Sequence, residues 1–177
     1  MLAPIVIGPD GSIVEEAVPP EMADFLMQWQ PSSHPTKKDE AESERVRRRV
    51  RSQPKRCWFN ARRAILKLDD YADASYVEGW AVHDNGLMIE HGWVVREGVI
   101  IDPTIPRKPY RYFPGLEFRG RTGIAEFLAT PEGRKCRRSP FFFAFGWGGG
   151  DSPSYTRAFQ HVLDYVRSLC PVKEGSR

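Results

Sequence analysis

The clearest periodic pattern in the chain begins at a cysteine. Apolar side chains stand at the spacing i, i+4, i+7, i+8 and i+11, at Cys57, Ala61, Ala64, Ile65 and Leu68. This spacing places them on one side of a helix, so it predicts an amphipathic helix that begins at the cysteine. The turn-forming run "DDYADA" then ends the helical pattern.

A period of two follows the helix and predicts three strands, "SYVEGWAV", "LMIEHGWVV" and "VIIDPT". Turns at 84–86 and at Glu97-Gly98 separate them. If Glu97-Gly98 is a two-residue hairpin loop, Val95 pairs with Ile100, and residues two apart along each strand share its face. His91 and Asp102 are then diagonal neighbours on that face, with backbones roughly 7–8 Å apart.

Both faces of this predicted hairpin are apolar, because one carries His91, Trp93 and Val95 while the other carries Val94 and Ile101. Each face therefore needs a cover. We expect the helix that begins at the cysteine to cover the histidine face, since its apolar stripe includes the cysteine itself.

The remaining elements are predicted from shorter patterns. A hairpin is expected over 4–16, and helices are expected over about 21–29 and 38–51. After 103 we expect a short strand in "YRYF", a helix that ends before Pro131, and a last helix capped by Ser152 with Pro153 at its first position. The last helix carries apolar side chains along one side: Phe159, Val162, Leu163, Val166 and Cys170.

Length and composition indicate one packed domain over 1–177, with 41% hydrophobic and 12% aromatic residues. We expect a core over about 54–118, an N-terminal extension over 1–53 and a C-terminal helical region over 119–177. No apolar run approaches the roughly 20 residues of a membrane span, and no leader pattern opens the chain. A cytoplasmic location is therefore expected, with three reduced cysteines and no membrane partner.

The net charge is only +3, but its distribution is uneven. The run "KKDEAESERVRRRVRSQPKRC" changes from acidic to basic within a few turns of a predicted helix. One interpretation is a solvated amphipathic helix with supportive ion pairs, such as Glu44 with Arg48. The other is a basic surface over Arg45–Arg56 that binds nucleic acid or an acidic partner.

The order cysteine, histidine, aspartate suggests nucleophilic chemistry. A cysteine in the first turn of a helix is next to the positive end of the helix dipole, which favours thiolate. His91 could accept and return a proton, and Asp102 could fix the imidazole tautomer. Free backbone N–H groups at the same helix start could hold an oxyanion. The alternative is three unrelated residues: a buried cysteine, a surface histidine and an aspartate that starts a turn.

At these residues the sequence resembles the transglutaminase-like branch of the papain-like cysteine enzymes, including small bacterial and phage members. The resemblance rests on "CWFNA", "YVEGWA", "EHGWVV", "IIDPT" and "YRYFPGLEF", from Cys57 to Phe118. It implies an α+β core in which the cysteine helix packs on an antiparallel sheet. It also implies hydrolysis, deamidation or acyl transfer at a peptide or protein amide, with Cys57 as nucleophile, His91 as base and acid, and Asp102 as orienting residue.

Further site residues are expected around this triad. Gln53 is a candidate oxyanion donor, although it lies only four residues before the cysteine. Trp58 and Trp93 are candidate walls of a substrate cleft, and Glu78 could contact a substrate amine or make a structural hydrogen bond. The family often has alanine after the histidine, whereas this chain has Gly92.

Two competing sites are weaker. Cys136 is surrounded by cations in "GRKCRRSP", which would lower its pKa, but no base follows at a comparable spacing, so a surface thiol is expected. Cys57, His83, His91 and Asp102 are all possible zinc ligands, although their spacing matches no recognised ligand pattern. The hypothesis we favour requires no metal, calcium or other cofactor.

Overall fold

The structure is a computed structural model that describes residues 5–7, 13–15 and 20–169. The fold is mixed α+β, with helices packed on a four-stranded antiparallel sheet. The strands are β1 (Ile5–Ile7), β2 (Ile13–Glu15), β3 (Ser75–His83), β4 (Met88–Arg96), β5 (Val99–Ile101) and β6 (Tyr110–Arg119). The helices are α1 (Pro20–Gln28), α2 (Glu40–Arg49), α3 (Cys57–Lys67), α4 (Gly120–Ala129), α5 (Pro131–Lys135) and α6 (Pro153–Leu169).

The sheet has the strand order β5-β4-β3-β6, and β1 pairs separately with β2 as a hairpin. Within the sheet, β4 and β5 pair through Val94 with Ile101 and Val95 with Ile100. This is the register that the sequence predicts. Glu97 and Gly98 both have positive φ, at 52° and 73°, as a two-residue turn with the twist of a hairpin requires. The predicted placement of His91 and Asp102 on one face is thereby supported.

The two faces of the sheet have different covers. The larger core cluster joins Ala61, Ala64 and Ile65 of α3 to Val94 and Ile101. The smaller cluster, on the face of His91, consists of Val77, Ala81, Trp93, Ile100 and Tyr112. The expectation that α3 covers the histidine face is therefore wrong: its apolar stripe packs on the opposite face.

Gly92 explains why the helix can lie on that opposite face. It alternates with His91 along β4, and a Cβ added to it would lie 2.8 Å from the Cα of Trp58. Without a side chain at this position, the first turn of α3 can approach the strand backbone directly. Cys57, the preceding residue, is thus brought to the middle of the sheet.

The strand in "YRYF" is longer than predicted and extends over ten residues as β6. It continues through Pro114, although proline cannot donate to a β-ladder. However, β6 is the edge strand, and its register with β3 shifts between Glu78 and Gly79. The edge position and this irregularity accommodate the proline.

The C-terminal elements complete the cover. Ser152 Oγ accepts from the backbone N–H of Tyr155 at 3.3 Å, and Pro153 is the first residue of α6, as predicted. The buried side of α6 carries Ser154, Tyr155, Ala158 and Val162 rather than the whole predicted stripe, of which Cys170 lies outside the described residues. In the described part of the chain, no helix combines the length and apolar character needed to cross a membrane.

Candidate active site

The histidine and the aspartate form a buried pair. His91 Nε2 lies 2.7 Å from Asp102 Oδ2, and both side chains are almost completely removed from solvent. His91 is on β4, while Asp102 follows the last residue of β5. The hairpin register therefore produces the contact, because it places the two residues diagonally on one face.

Asp102 is held by further hydrogen bonds. Tyr112 donates its hydroxyl to Oδ2 at 2.7 Å, and the backbone N–H groups of Thr104 and Ile105 donate to Oδ1 at 2.9 and 3.1 Å. The backbone N–H of Asp102 donates to Ser43 Oγ at 2.9 Å. Both carboxylate oxygens are thus occupied, and the group has a single fixed orientation towards the imidazole.

Each member of this pair stabilises the charged form of the other. Burial alone would raise the pKa of Asp102, but His91, Tyr112 and Lys38 together lower it to about 2. Burial alone would lower the pKa of His91, but the carboxylate, with a smaller contribution from Cys57, raises it well above its ordinary value. The buried pair therefore favours imidazolium and carboxylate near neutral pH.

Cys57 is buried at the first position of α3. It contributes a smaller part of the rise in the pKa of His91, so the two side chains lie in the same region. Since Asp102 binds Nε2, Nδ1 is the ring nitrogen that remains for a further partner. The direct contact within the predicted group is therefore that of imidazole with carboxylate, and the role of the thiol stays a prediction.

The start of α3 also presents backbone donors. The first helical hydrogen bond runs from the backbone N–H of Asn60 to the carbonyl of Arg56 at 2.8 Å, and Arg56 makes no side-chain cap. The N–H groups of residues 57–59 precede this bond, as is usual at a helix N-terminus. They lie next to the thiol, where an anionic oxygen would be stabilised.

Asn60 connects this helix start to the loop after Asp102. Its amide nitrogen donates to the carbonyl of Gln53 at 2.7 Å and to Thr104 Oγ1 at 3.0 Å. Its amide oxygen accepts from the backbone N–H of Gln53 at 3.0 Å. One buried side chain thus fixes the start of α3 relative to the segment that carries the carboxylate.

The other predicted cleft residues have varied positions. Gln53 is exposed, and its side-chain oxygen accepts from Arg56 Nη1 at 2.8 Å. Trp58 is half-buried over Gly92. Trp93 is buried, with its ring centre 6.3 Å from that of His91. The proposed roles of these residues in binding substrate or an oxyanion stay predictions.

Glu78 is a buried carboxylate whose bonding is structural. It accepts hydrogen bonds from the Tyr76 hydroxyl and from the backbone N–H groups of Phe141 and Phe142, the latter two at 2.8 and 2.7 Å. These bonds attach the aromatic 3₁₀ helix Phe141–Phe145 to β3. The structure thus favours the interpretation of Glu78 as a structural acceptor.

The expectation that Cys136 is a surface thiol with a lowered pKa is wrong. Its side chain packs in the larger core cluster, and burial raises its pKa despite the neighbouring cations. His83 interacts with Asn85 at the end of β3. Among the described residues, no group of three or more His, Cys, Asp and Glu side chains is arranged to hold a metal ion.

Sequence reasoning missed three residues around Asp102. Tyr112 was within a predicted strand, but only its pairing with β3 shows that its hydroxyl is on the histidine face. Lys38 lies over the Tyr112 ring at 5.5 Å and donates to the carbonyl of Ile105 at 2.6 Å. Ser43 comes from α2, and no sequence pattern indicated that this helix contacts Asp102.

Three of the seven basic side chains in Arg45–Arg56 are paired with acidic residues. Arg45 binds Glu42 at 2.5 Å within α2, and Arg49 binds Asp70 at 2.6 Å. Arg47 lies 3.6 Å from Glu44. This is the pattern expected of a solvated amphipathic helix, and it reduces the free positive charge available to an anionic partner.

Comparisons with protein-family models, with curated proteins and with solved structures found no match for this chain. The resemblance to transglutaminase-like enzymes therefore depends only on the motifs and on the geometry of the residues they contain.

Proposed function

We propose that this protein is a cysteine-dependent amide-bond hydrolase or acyltransferase with a papain-like, transglutaminase-like core. The observation that carries the proposal is the buried contact of His91 Nε2 with Asp102 Oδ2 at 2.7 Å, and Cys57 is buried at the first position of α3. A nucleophile, a base and an orienting acid in this order constitute a nucleophilic triad.

The proposed reaction has two halves. The Cys57 thiolate attacks the acyl carbon of an amide, and imidazolium at His91 gives its proton to the departing amine as the C–N bond breaks. A thioester remains on the cysteine. Water or a second amine then attacks this thioester, His91 accepts the proton of the attacking group, and the C–S bond breaks to restore the cysteine. The product is an acid with water and a new amide with an amine.

The remaining parts of the site have defined tasks in this scheme. Asp102 keeps the proton on Nε2 and stabilises the positive ring, so that Nδ1 exchanges protons with sulfur and substrate. The N–H groups at the start of α3 stabilise the oxyanion of each tetrahedral intermediate. Asn60 keeps the helix start and the Asp102 loop in register through its bonds to Gln53 and Thr104.

The test is the reactivity of Cys57. The protein is treated with iodoacetamide at pH 6, and alkylation of the Cys57 peptide is followed over time by mass spectrometry, with the buried Cys136 as an internal reference. We expect alkylation at least about tenfold faster than that of glutathione, because a thiolate reacts where a thiol does not. His91→Ala should remove this excess, Asp102→Ala should reduce it, and Cys57→Ala should remove the signal. An ordinary rate that His91→Ala leaves unchanged would refute the nucleophile.

A binding module that uses Arg45–Arg56 is the second class of function, and the structure favours it less. Three of its arginines are paired with acidic side chains. A salt-dependent affinity for nucleic acid that is lost on joint substitution of Arg47, Arg48 and Arg49 would support that alternative.

A further inference from the structure

Glu90 is a carboxylate close to the proposed nucleophile that the proposed reaction does not use. It is on β4 two residues before Gly92, so both residues point to the same face of the sheet. The first turn of α3 packs on Gly92 through Trp58. On this face, Glu90 is therefore the side chain next to the point where the first turn of α3, which begins at Cys57, contacts β4.

This carboxylate has no cationic partner in the part of the chain that the structure describes. It is half-buried, forms no ion pair within 4 Å, and accepts one long hydrogen bond, from the Tyr155 hydroxyl at 3.4 Å. Burial raises its pKa, and the only opposing influence is that tyrosine. A half-buried carboxylate is costly unless a positive group compensates it.

Two aromatic rings adjoin this carboxylate. Trp80 is paired directly opposite Glu90 in the register of β3 with β4, which places their Cβ atoms roughly 4.5–5.5 Å apart on one face. Tyr155 of α6 lies beside Trp80, with ring centres 6.1 Å apart and planes at 49°. Trp80 is half-buried like Glu90, so the pair is accessible from solvent.

We propose that Glu90 and Trp80 form a subsite for an aliphatic ammonium group, and that it accepts a lysine side chain of the acyl substrate. The carboxylate supplies the opposite charge, and the ring of Trp80 supplies cation–π attraction and covers the aliphatic stem. Tyr155 is buried, and its hydroxyl supports the carboxylate from behind at 3.4 Å.

This inference rests on the proposed function, because a subsite next to Cys57 selects substrates only if Cys57 is acylated. The first experiment uses p-nitrophenyl esters of blocked lysine and blocked norleucine, which differ only in the ammonium group. We expect the lysine ester to react about tenfold faster in kcat/KM, which corresponds to about 1.4 kcal/mol. Glu90→Gln should reduce the ratio to within about threefold by slowing the reaction of the lysine ester.

A matched control is available on the same strand pair. Glu97→Gln removes the same charge from the exposed hairpin turn, which lies at the opposite end of β4 from Glu90. It should leave the lysine preference intact. An equal loss in both variants would mean that only the overall charge matters, and an unchanged preference in Glu90→Gln would refute the subsite.

The second experiment does not require catalysis. Cys57 is modified with methanethiosulfonates that carry a trimethylammonium, a neutral methyl or a sulfonate group, and its peptide is quantified by mass spectrometry. Relative to the neutral reagent, the cationic one should be favoured and the anionic one disfavoured, each by several-fold, and Glu90→Gln and Trp80→Leu should both reduce this discrimination. Equal rates for the two charged reagents would refute the subsite even if the esters failed to react, whereas a failure of the esters alone would count against the proposed function.

Discussion

Two buried carboxylates, Glu78 on β3 and Asp102 directly after β5, have pKa values that are shifted in opposite directions. Both are almost completely removed from solvent. The pKa of Asp102 is lowered to about 2, whereas burial raises that of Glu78. Asp102 contacts the ionisable ring of His91 directly, while Glu78 accepts only from a hydroxyl and two backbone N–H groups, with Arg62 acting at longer range. Burial by itself therefore does not indicate function, and the directly bonded partner is what distinguishes the two.

The largest expected effect comes from replacing each carboxylate by its amide. Asp102→Asn should remove most of the excess alkylation rate of Cys57 at neutral pH, a fall of about tenfold or more, because the ring loses its charge partner and its fixed tautomer. Glu78→Gln should leave that rate within a few-fold and instead reduce stability by about 1–3 kcal/mol, because its buried hydrogen bonds are disturbed. The alkylation rates are measured with iodoacetamide, and the stabilities of both variants are measured by urea unfolding.

The distinction between the two carboxylates depends on Glu78→Gln leaving the alkylation rate of Cys57 nearly unchanged. Circular dichroism must show that both variants fold, since an unfolded Asp102→Asn would expose the thiol to the reagent. If Glu78→Gln slows the alkylation of Cys57 as strongly as Asp102→Asn does, and both proteins are folded, Glu78 belongs to the reactive group.

Gly92→Ala tests the contact that brings the cysteine helix to the sheet. The added Cβ would lie 2.8 Å from Trp58 Cα and 3.1 Å from its backbone nitrogen, so the first turn of α3 must move. We expect a loss of stability of about 1–3 kcal/mol and roughly tenfold slower alkylation of Cys57. Gly98→Ala is a useful contrast, because no atom lies within 4 Å of its added Cβ, although its positive φ still adds strain.

Alanine is frequent at this position in the resembled family, so a tolerated substitution would be informative. If Gly92→Ala keeps both the stability and the alkylation rate of the parent, the close approach of α3 to β4 does not position the thiol.

The contributions of the two carboxylates to stability should depend on pH in opposite directions. The folded pKa of Asp102 is lowered, so its contribution to stability is present above its ordinary pKa of about 3.9 and is lost as the pH falls towards about 2. The folded pKa of Glu78 is raised, so its contribution is present below about 4.3 and is lost as the pH rises through its folded value. The total change for Asp102 should be about 2–3 kcal/mol.

Urea unfolding between pH 3 and pH 7 measures these contributions as differences from each amide variant. The excess stability of the parent over Asp102→Asn should rise with pH in the acid part of this range. Its excess over Glu78→Gln should fall as the pH increases. Two curves with the same slope would contradict the opposite pKa shifts.

The local pattern was sufficient to predict the hairpin and the contact of His91 with Asp102. The period of two and the Glu97-Gly98 turn predicted the pairing of Val95 with Ile100, and this pairing alone makes the two residues diagonal neighbours. The cap and first residue of α6 were predicted for a similar reason, since Ser152 and Pro153 act within one turn. Local sequence specifies such features because the interacting groups lie within one helical turn or on two strands joined by a short turn.

Features that depend on distant segments could not be predicted in this way. The periodicity of α3 showed that it has an apolar side, but the side of the sheet it covers depends on packing of Gly92 against Trp58. The environment of Cys136 was predicted wrongly because neighbouring cations are visible in the sequence and burial is not. Ser43 and Tyr112 reach Asp102 from α2 and β6, at separations that no local pattern encodes.

Tyr112→Phe gives the smallest of the expected effects and examines why Asp102 is ionised. Its hydroxyl donates to Oδ2, the same oxygen that lies 2.7 Å from His91 Nε2. Removing this donor should raise the pKa of Asp102 and slow alkylation of Cys57 by about three- to tenfold, which is the range for one buried hydrogen bond to a charged group.

Tyr110→Phe is the matched control, because its ring packs on His83. The readout that distinguishes a positioning role from a merely structural one is the pH profile of alkylation, whose acid limb should move to higher pH in Tyr112→Phe alone. An unchanged profile, with only stability reduced, would mean that the imidazole and the backbone N–H groups suffice to hold the carboxylate.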